Sequence, residues 1–224
     1  MLDSPVRGFL VGEFETRLER LHKLMSTKGL AGILLMSEPE VRYFTGFLTQ
    51  FWQSPTRPWF LFIPVDKKPI AVIPEIGAAL MRTTWIDDIR TWGAPWPKDD
   101  GISLLQDLLE PLLKSGARLG VMKGHESSLR MPLGDYERLM SRLGGIEVVD
   151  ATDILHNLRM VKSAAEIDKI AHICGIASRT FARAGDIFNK GQSLAEAFRA
   201  FRIECLTQGA DDVPYLAGGA DQGG

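Results

Sequence analysis

Cysteine is scarce in this chain: 224 residues hold only Cys174 and Cys205. Two cysteines exclude a disulfide-stapled scaffold and a cysteine-rich zinc module. Both fall on apolar faces of expected helices, so they read as small buried thiols, and a reducing, cytoplasmic setting fits them. No sign of charge dominates, since 26 Lys and Arg face 28 Asp and Glu for a formal net charge of -2. No nucleic acid and no membrane is therefore expected as a partner. No apolar run approaches the ~20 residues that cross a bilayer. The first residues carry acidic Asp3 and no apolar stretch, so no signal peptide is expected there.

Histidine is equally sparse, at positions 22, 125, 156 and 172. His125-Glu126 is not followed by a second His at the spacing of a zinc-binding helix. A nucleophile–base constellation, a phosphate loop and a dinucleotide fingerprint are all missing. What is there is ordinary for a globular protein: 45% hydrophobic and 24% charged residues. The length suits one large domain or two smaller ones.

Residues 1–13 carry Pro5, Gly8 and Gly12 and are expected to form an arm. From Phe14 the pattern turns helical, with Phe14, Leu18, Leu21 and Met25 three or four residues apart, and Gly29 as the stop. Leu30 to Met36 is an apolar run of strand length. Ser37-Glu38-Pro39-Glu40 reads as a helix start. Strands are predicted over Trp59 to Val65 and Ile70 to Ile73, around the turn Asp66-Lys67-Lys68-Pro69. Helices over Ala78 to Thr84, Ile102 to Leu113 and Leu133 to Leu143 alternate with strands over Ile89 to Trp92, Arg118 to Met122 and Ile146 to Val149. This alternation argues for an α/β layered domain with a substantially parallel sheet.

After Asp150 the pattern changes. Ser163 precedes Glu166 by three residues and opens a stripe of Ile167, Ile170, Ala171, Cys174, Ala177 and Phe181. That spacing is a capping box, in which each partner satisfies a free backbone N–H at a helix start. Ser193 and Glu196 repeat it before Leu194, Phe198, Phe201 and Cys205. Val213 to Ala217 reads as the start of a strand. Two amphipathic helices cannot bury their faces alone and need a partner layer.

The segment Leu158-Arg159-Met160-Val161-Lys162-Ser163-Ala164-Ala165-Glu166-Ile167 resembles the hinge "LR-x-[IV]-K-[ST]-x-x-E-[IL]" of the creatinase, prolidase and Xaa-Pro aminopeptidase family. Ser37-Glu38-Pro39-Glu40-Val41-Arg42-Tyr43-Phe44-Thr45-Gly46-Phe47 is similar to that family's "S-x-P-E-N-[IV]-x-Y-x-[ST]-G-[FY]", with Val41 directly after Glu40 where Asn usually intervenes. Gly120 to Glu126 is similar to its "[IV]-G-x-E" strand end.

The resemblance implies a creatinase-type N-terminal α/β domain over residues 14–157, a mixed, largely parallel sheet with flanking helices. Residues 158–224 would then be the hinge and the first two helices of an incomplete pita-bread α+β domain. It implies a homodimer and a hydrolase that cleaves C–N bonds in small dipeptide-like or amidine substrates. Two divalent metals of the Mn, Co or Zn type would be held by two Asp, one His and two Glu in the complete enzyme. The family's ligands lie downstream of the segment matching Pro214-Tyr215-Leu216, so no metal or catalytic residue is expected in this chain and the chain alone is expected to be inactive. Asp211, Asp212 and Asp221 read as loop residues. The alternative is a stand-alone binding or dimerisation module without catalysis.

One substrate-binding residue is expected, Arg57, between Pro55 and Pro58 in an aromatic loop. A guanidinium can hold a carboxylate through paired hydrogen bonds. In creatinase-like relatives a loop in this place reaches across the dimer and offers an Arg to the neighbour's substrate. The competing reading is a surface Arg packed on Trp52 or Trp59. Trp85, Trp92 and Trp96 read as core and loop anchors, or as an aromatic substrate or dimer surface. Arg159 and Lys162 read as structural ion-pair partners or solvated charges.

Overall fold

Apolar runs too short for helices build the centre of the structure. In the computed structural model, which describes residues 4–54 and 57–219, β1 (Gly32–Leu35), β2 (Phe60–Pro64) and β3 (Ile70–Pro74) are buried along their whole length. Such strands must be covered on both faces. With β4 (Asp88–Trp92), β5 (Arg118–Val121) and β6 (Glu147–Asp150) they form one sheet in the order β4-β3-β2-β1-β5-β6. β1, β5 and β6 run parallel, as do β3 and β4, whereas β2 is antiparallel to both of its neighbours. The sheet is thus mixed and mostly parallel.

Side-chain alternation sorts the core into two layers. Ile33, Leu35, Leu61, Ile63 and Ile73 face one layer with α1 (Val11–Lys28), α2 (Glu38–Thr45) and α6 (Thr152–Met160). Leu34, Phe60, Phe62, Val72 and Val121 face the other with α4 (Ile102–Leu109) and α5 (Leu133–Arg142). A short α3 (Ala78–Met81) precedes β4.

Local chemistry sets the helix ends. Gly29 and Gly46 take left-handed φ of 65° and 75° and close α1 and α2 with backbone caps. α1 begins at Val11, inside the stretch expected to be an arm, and Phe9 packs edge-on against Phe14. α4 stops at Leu109, four residues short of the expected Leu113, where Pro111 has no N–H to donate to the ladder. α6 was not expected; its apolar side, Ile154, Leu155 and Leu158, packs under the sheet beside α1. Arg17 lies inside the first layer at 2% exposure. It donates from Nη1 to the Tyr43 carbonyl at 2.7 Å, pairs with Glu13, and stacks 4.2 Å from the Phe9 and Tyr43 ring centres.

The chain divides into two compact units, Gly8–Val161, just described, and Met1–Arg7 with Lys162–Gly224. In the second, α7 (Ala164–Ala182), α8 (Ala184–Ile187) and α9 (Leu194–Thr207) follow one another. Both expected capping boxes form, at Ser163/Glu166 and Ser193/Glu196. The buried line of α7 is Ile176 and Thr180, while Ile167, Ile170 and Phe181 of the expected stripe stay exposed. Cys174 is accordingly exposed and Cys205 buried, which corrects the expectation of two buried thiols. α7 carries apolar residues on more than one face, so spacing alone does not say which face meets α9. Val213 to Ala217 forms no strand, for the described residues of this unit hold no strand to pair with.

Gly77 marks the tightest approach in the larger unit. A Cβ there would lie 2.3 Å from a ring carbon of Trp59, which is fully buried. Gly77→Ala is expected to cost about 1–3 kcal/mol through overpacking. A urea unfolding midpoint equal to wild type would show that Trp59 has room to move.

Candidate functional site

The strand registers decide where functional groups can gather. Leu35 of β1 lies opposite Leu61 of β2, and Leu34 lies opposite Val121 of β5. The carboxyl ends of β1 and β5 and the amino end of β2 therefore share one edge of the sheet. Strand order reverses beside β1, since the chain runs out through β2, β3 and β4 and then returns to place β5 on the other side of β1. Ligands of open α/β sheets bind outside the carboxyl ends at such a switch. Three segments emerge here: the start of α2, the loop leading into β2, and the loop after β5.

The loop leading into β2 is anchored by aromatics. Gly46 ends α2, and Thr49 Oγ1 accepts from the Phe51 N–H at 3.3 Å to start a short 3-10 turn, Gln50–Gln53. Trp52 and Trp59 have ring centres 5.7 Å apart, Phe47 lies 5.3 Å from Trp59, and Phe51 stacks on Trp59. Arg57 is half-buried on this loop. Among the described residues its guanidinium makes no hydrogen bond or ion pair, and only its backbone carbonyl is engaged. Pro55, the upstream member of its proline pair, lies outside the described residues.

The cation stacked on Trp52 is a different one, Arg130, 5.2 Å from the ring centre. Its Nη1 donates to the Arg57 carbonyl at 2.7 Å, and its Nη2 to the carbonyls of Trp52, at 3.0 Å, and Ser54. Burial holds the Arg130 pKa below its ordinary value, and the charge of Glu38 in the first turn of α2 opposes that shift. Sequence reasoning missed Arg130. Ser127-Ser128-Leu129-Arg130-Met131-Pro132 matches no motif, and only the fold brings residue 130 to residues 52–57.

Asp150 fixes the loop that carries Arg130. Its Oδ1 accepts from Thr152 Oγ1 at 2.6 Å and from the Thr152 N–H at 3.0 Å. Thr152 Oγ1 in turn accepts from the Gly124 N–H at 2.9 Å. A Cβ on Gly124 would sit 2.5 Å from Asp150 Oδ2, so residue 124 must be small. The Thr152 hydroxyl bond is the largest influence on the Asp150 carboxyl; burial, next in size, opposes it, and the backbone N–H groups of Thr152 and Lys123 with the Lys123 charge add to it, so the pKa lies below its usual value. On the far side of α2, Glu40 pairs with Arg159 of α6 at 3.5 Å.

The other candidates separate. Trp85 stacks on Phe14 and donates from Nε1 to the Phe44 carbonyl at 2.7 Å, in the first core layer. Trp92 packs in the second layer, and with exposed Trp96 it lines an open cleft of ≈ 330 Å³ beside Asp99 and Asp107. The three tryptophans therefore do not form one surface. In the smaller unit, Asp211 accepts two hydrogen bonds from the Arg7 Nε and one from Nη2, and Asp221 lies outside the described residues. Among the described residues no three His, Cys, Asp or Glu side chains gather as a metal requires. These residues do not fit a two-metal centre.

The Creatinase/Prolidase N-terminal domain model matches residues 17–161. Creatinase of Bacillus sp. (strain B-0618) is 27% identical over 187 residues, 84% of this chain and 41% of that protein. Probable dipeptidase PepE of Mycobacterium tuberculosis (strain ATCC 25618 / H37Rv) is 24% identical over 217 residues, 96% of this chain and 54% of that protein. The chain thus spans about half the length of the curated relatives it matches. Among solved structures, dipeptidase PepE from Mycobacterium ulcerans superposes with a TM-score of 0.71 at 25% identity, over 93% of this chain and 53% of that one. Prolidase from Thermococcus sibiricus gives 0.75 at 19%, over 90% and 52%, a likeness of fold.

The Asp150 network has a pH signature. A carboxyl whose pKa is depressed on folding adds stability above its unfolded value, about 3.9, and loses it as pH falls through the folded value. Asp150→Asn is expected to be less stable than wild type at pH 7, with the gap closing as pH drops below about 3.9. Urea midpoints at several pH values measure this, and a gap independent of pH would contradict it.

Proposed function

The chain belongs to the creatinase/prolidase N-terminal domain family, and from that premise we propose that it is the N-terminal part of a dinuclear-metal-dependent hydrolase. The substrate class is a small dipeptide-like or amidine molecule cleaved at a C–N bond. The family match over residues 17–161 carries this reading. The relatives named as dipeptidases favour a dipeptide. The larger unit shapes the substrate site and forms a homodimer, and α7 and α9 open the catalytic domain. Exposed Ile167, Ile170, Ile173 and Phe181 support that role for α7, since such a face calls for a covering layer. Two free thiols and no membrane-crossing helix among the described residues accord with a cytoplasmic setting. Two ions of the Mn, Co or Zn type would activate the attacking water in the complete enzyme. Their ligands belong to sequence outside these 224 residues.

Within this chain Arg57 is the substrate-binding residue, presented to the partner subunit's site and directed at a carboxylate. Its support is a half-buried guanidinium without a hydrogen bond or ion pair among the described residues, on a residue whose carbonyl Arg130 holds. A cation without a partner among the described residues is ready for a ligand anion.

Two measurements test the reading. The full-length gene product, loaded with Mn²⁺ or Co²⁺, should release free amino acid from Xaa-Pro dipeptides or product from creatine-like amidines, while the 224-residue chain alone should neither bind the metal tightly nor turn over. Failure of the full-length protein on both classes would remove the hydrolase assignment and favour a stand-alone module. Arg57→Ala in the full-length protein should raise KM by about tenfold to a hundredfold, the value of one charged hydrogen bond, with an unchanged melting temperature. Unchanged kinetics would remove Arg57 from the site.

A further inference from the structure

We propose that Arg130 is the positioning residue of this site: its guanidinium fixes the backbone at Trp52, Ser54 and Arg57 and thereby aims Arg57. The aiming rests on the reading of Arg57 given above; the clamp itself rests on geometry alone. One planar group binds three backbone carbonyls, those of Trp52, Ser54 and Arg57. Its central carbon lies over the Trp52 ring, 5.2 Å from the ring centre. A guanidinium offers five donors in a fixed fork, whereas an ammonium is a point charge with no such plane. Two nitrogens of one plane share these carbonyls, an arrangement that a single ammonium nitrogen does not reproduce.

The clamp acts where Arg57 has little freedom left. Pro58 follows it, and a residue before proline is confined to extended conformations. Trp59, next along, is fully buried beneath the Gly77 contact. What remains is the orientation of the Arg57–Pro58 peptide plane, and the 2.7 Å bond from Arg130 Nη1 to the Arg57 carbonyl sets it. Pro58 has no N–H to hold that plane from the other side. Arg130 itself sits on the loop secured by Asp150, Thr152 and Gly124 and is faced by Glu38. It binds backbone on one side and stands on a braced loop on the other.

The test uses the full-length gene product with Arg130→Lys, Arg130→Ala, Arg57→Ala and the double variant Arg57→Ala/Arg130→Ala. Two quantities are read: amide hydrogen exchange over residues 49–59, and KM for a dipeptide against the same dipeptide with its carboxylate converted to an amide. Both Arg130 variants should speed exchange in that loop by about tenfold or more and leave the core strands protected. Both should raise KM for the carboxylate substrate, spare the amide, and leave kcat nearly unchanged. Adding Arg130→Ala to Arg57→Ala should change KM no further. Loop exchange unchanged in Arg130→Ala would overturn the clamp. Full rescue by Arg130→Lys would reduce it to a charge effect and overturn it equally. If Arg130→Ala speeds exchange but KM for the carboxylate substrate rises only in Arg57→Ala, the aiming role falls and Arg57 stands. If exchange speeds up while Arg57→Ala has normal kinetics, the clamp is supported and the substrate role of Arg57 is what fails.

Discussion

Burial of β1, β2 and β3 on both faces is the constraint from which the rest follows. No side chain of these strands can reach water, and each face needs its own layer of helices. α1, α2 and α6 fill one side, α4 and α5 the other. A sheet sealed in this way has polar chemistry only where strands end. The register then selects one edge, where the carboxyl ends of β1 and β5 meet the amino end of β2.

At that edge the polar groups hold loops more than they face solvent. Asp150 and Thr152 tie the segment after β5, that segment carries Arg130, and Arg130 ties the loop before β2. Each link is a side chain satisfying backbone groups that a turn leaves unpaired, which is the usual way irregular backbone is kept from becoming an energetic burden. Tryptophans supply the apolar counterpart, with Trp59 locked under Gly77 and Trp52 beneath the guanidinium. Among the described residues the Arg57 guanidinium makes no hydrogen bond or ion pair.

Much of this was legible in the sequence. Short apolar runs gave the strands, Gly29 and the two Ser/Glu boxes gave helix ends, and the motifs from Ser37 to Phe47 and Leu158 to Ile167 gave the family. The misses share a physical cause. α6 was overlooked because its apolar residues fall just after a strand, where the period changes. Cys174 was misplaced because α7 is apolar around much of its girth, and only contact with α9 selects the buried line of Ile176 and Thr180. The stack on Trp52 was expected of a cation in its own loop and came instead from Arg130, 78 residues away.

By itself the sequence determined most of the elements, the order in which they follow, and the family, because periodicity, caps and turn residues act within a few positions. It also offered Arg57 as a candidate, since two prolines and a guanidinium lie close together in sequence. The tertiary structure alone decided which strand ends converge, which face of α7 is covered, and that Arg130 meets residues 52–57. Those outcomes depend on strand register and layer packing between residues distant along the chain, and no local pattern encodes a contact whose geometry exists only after the sheet has formed.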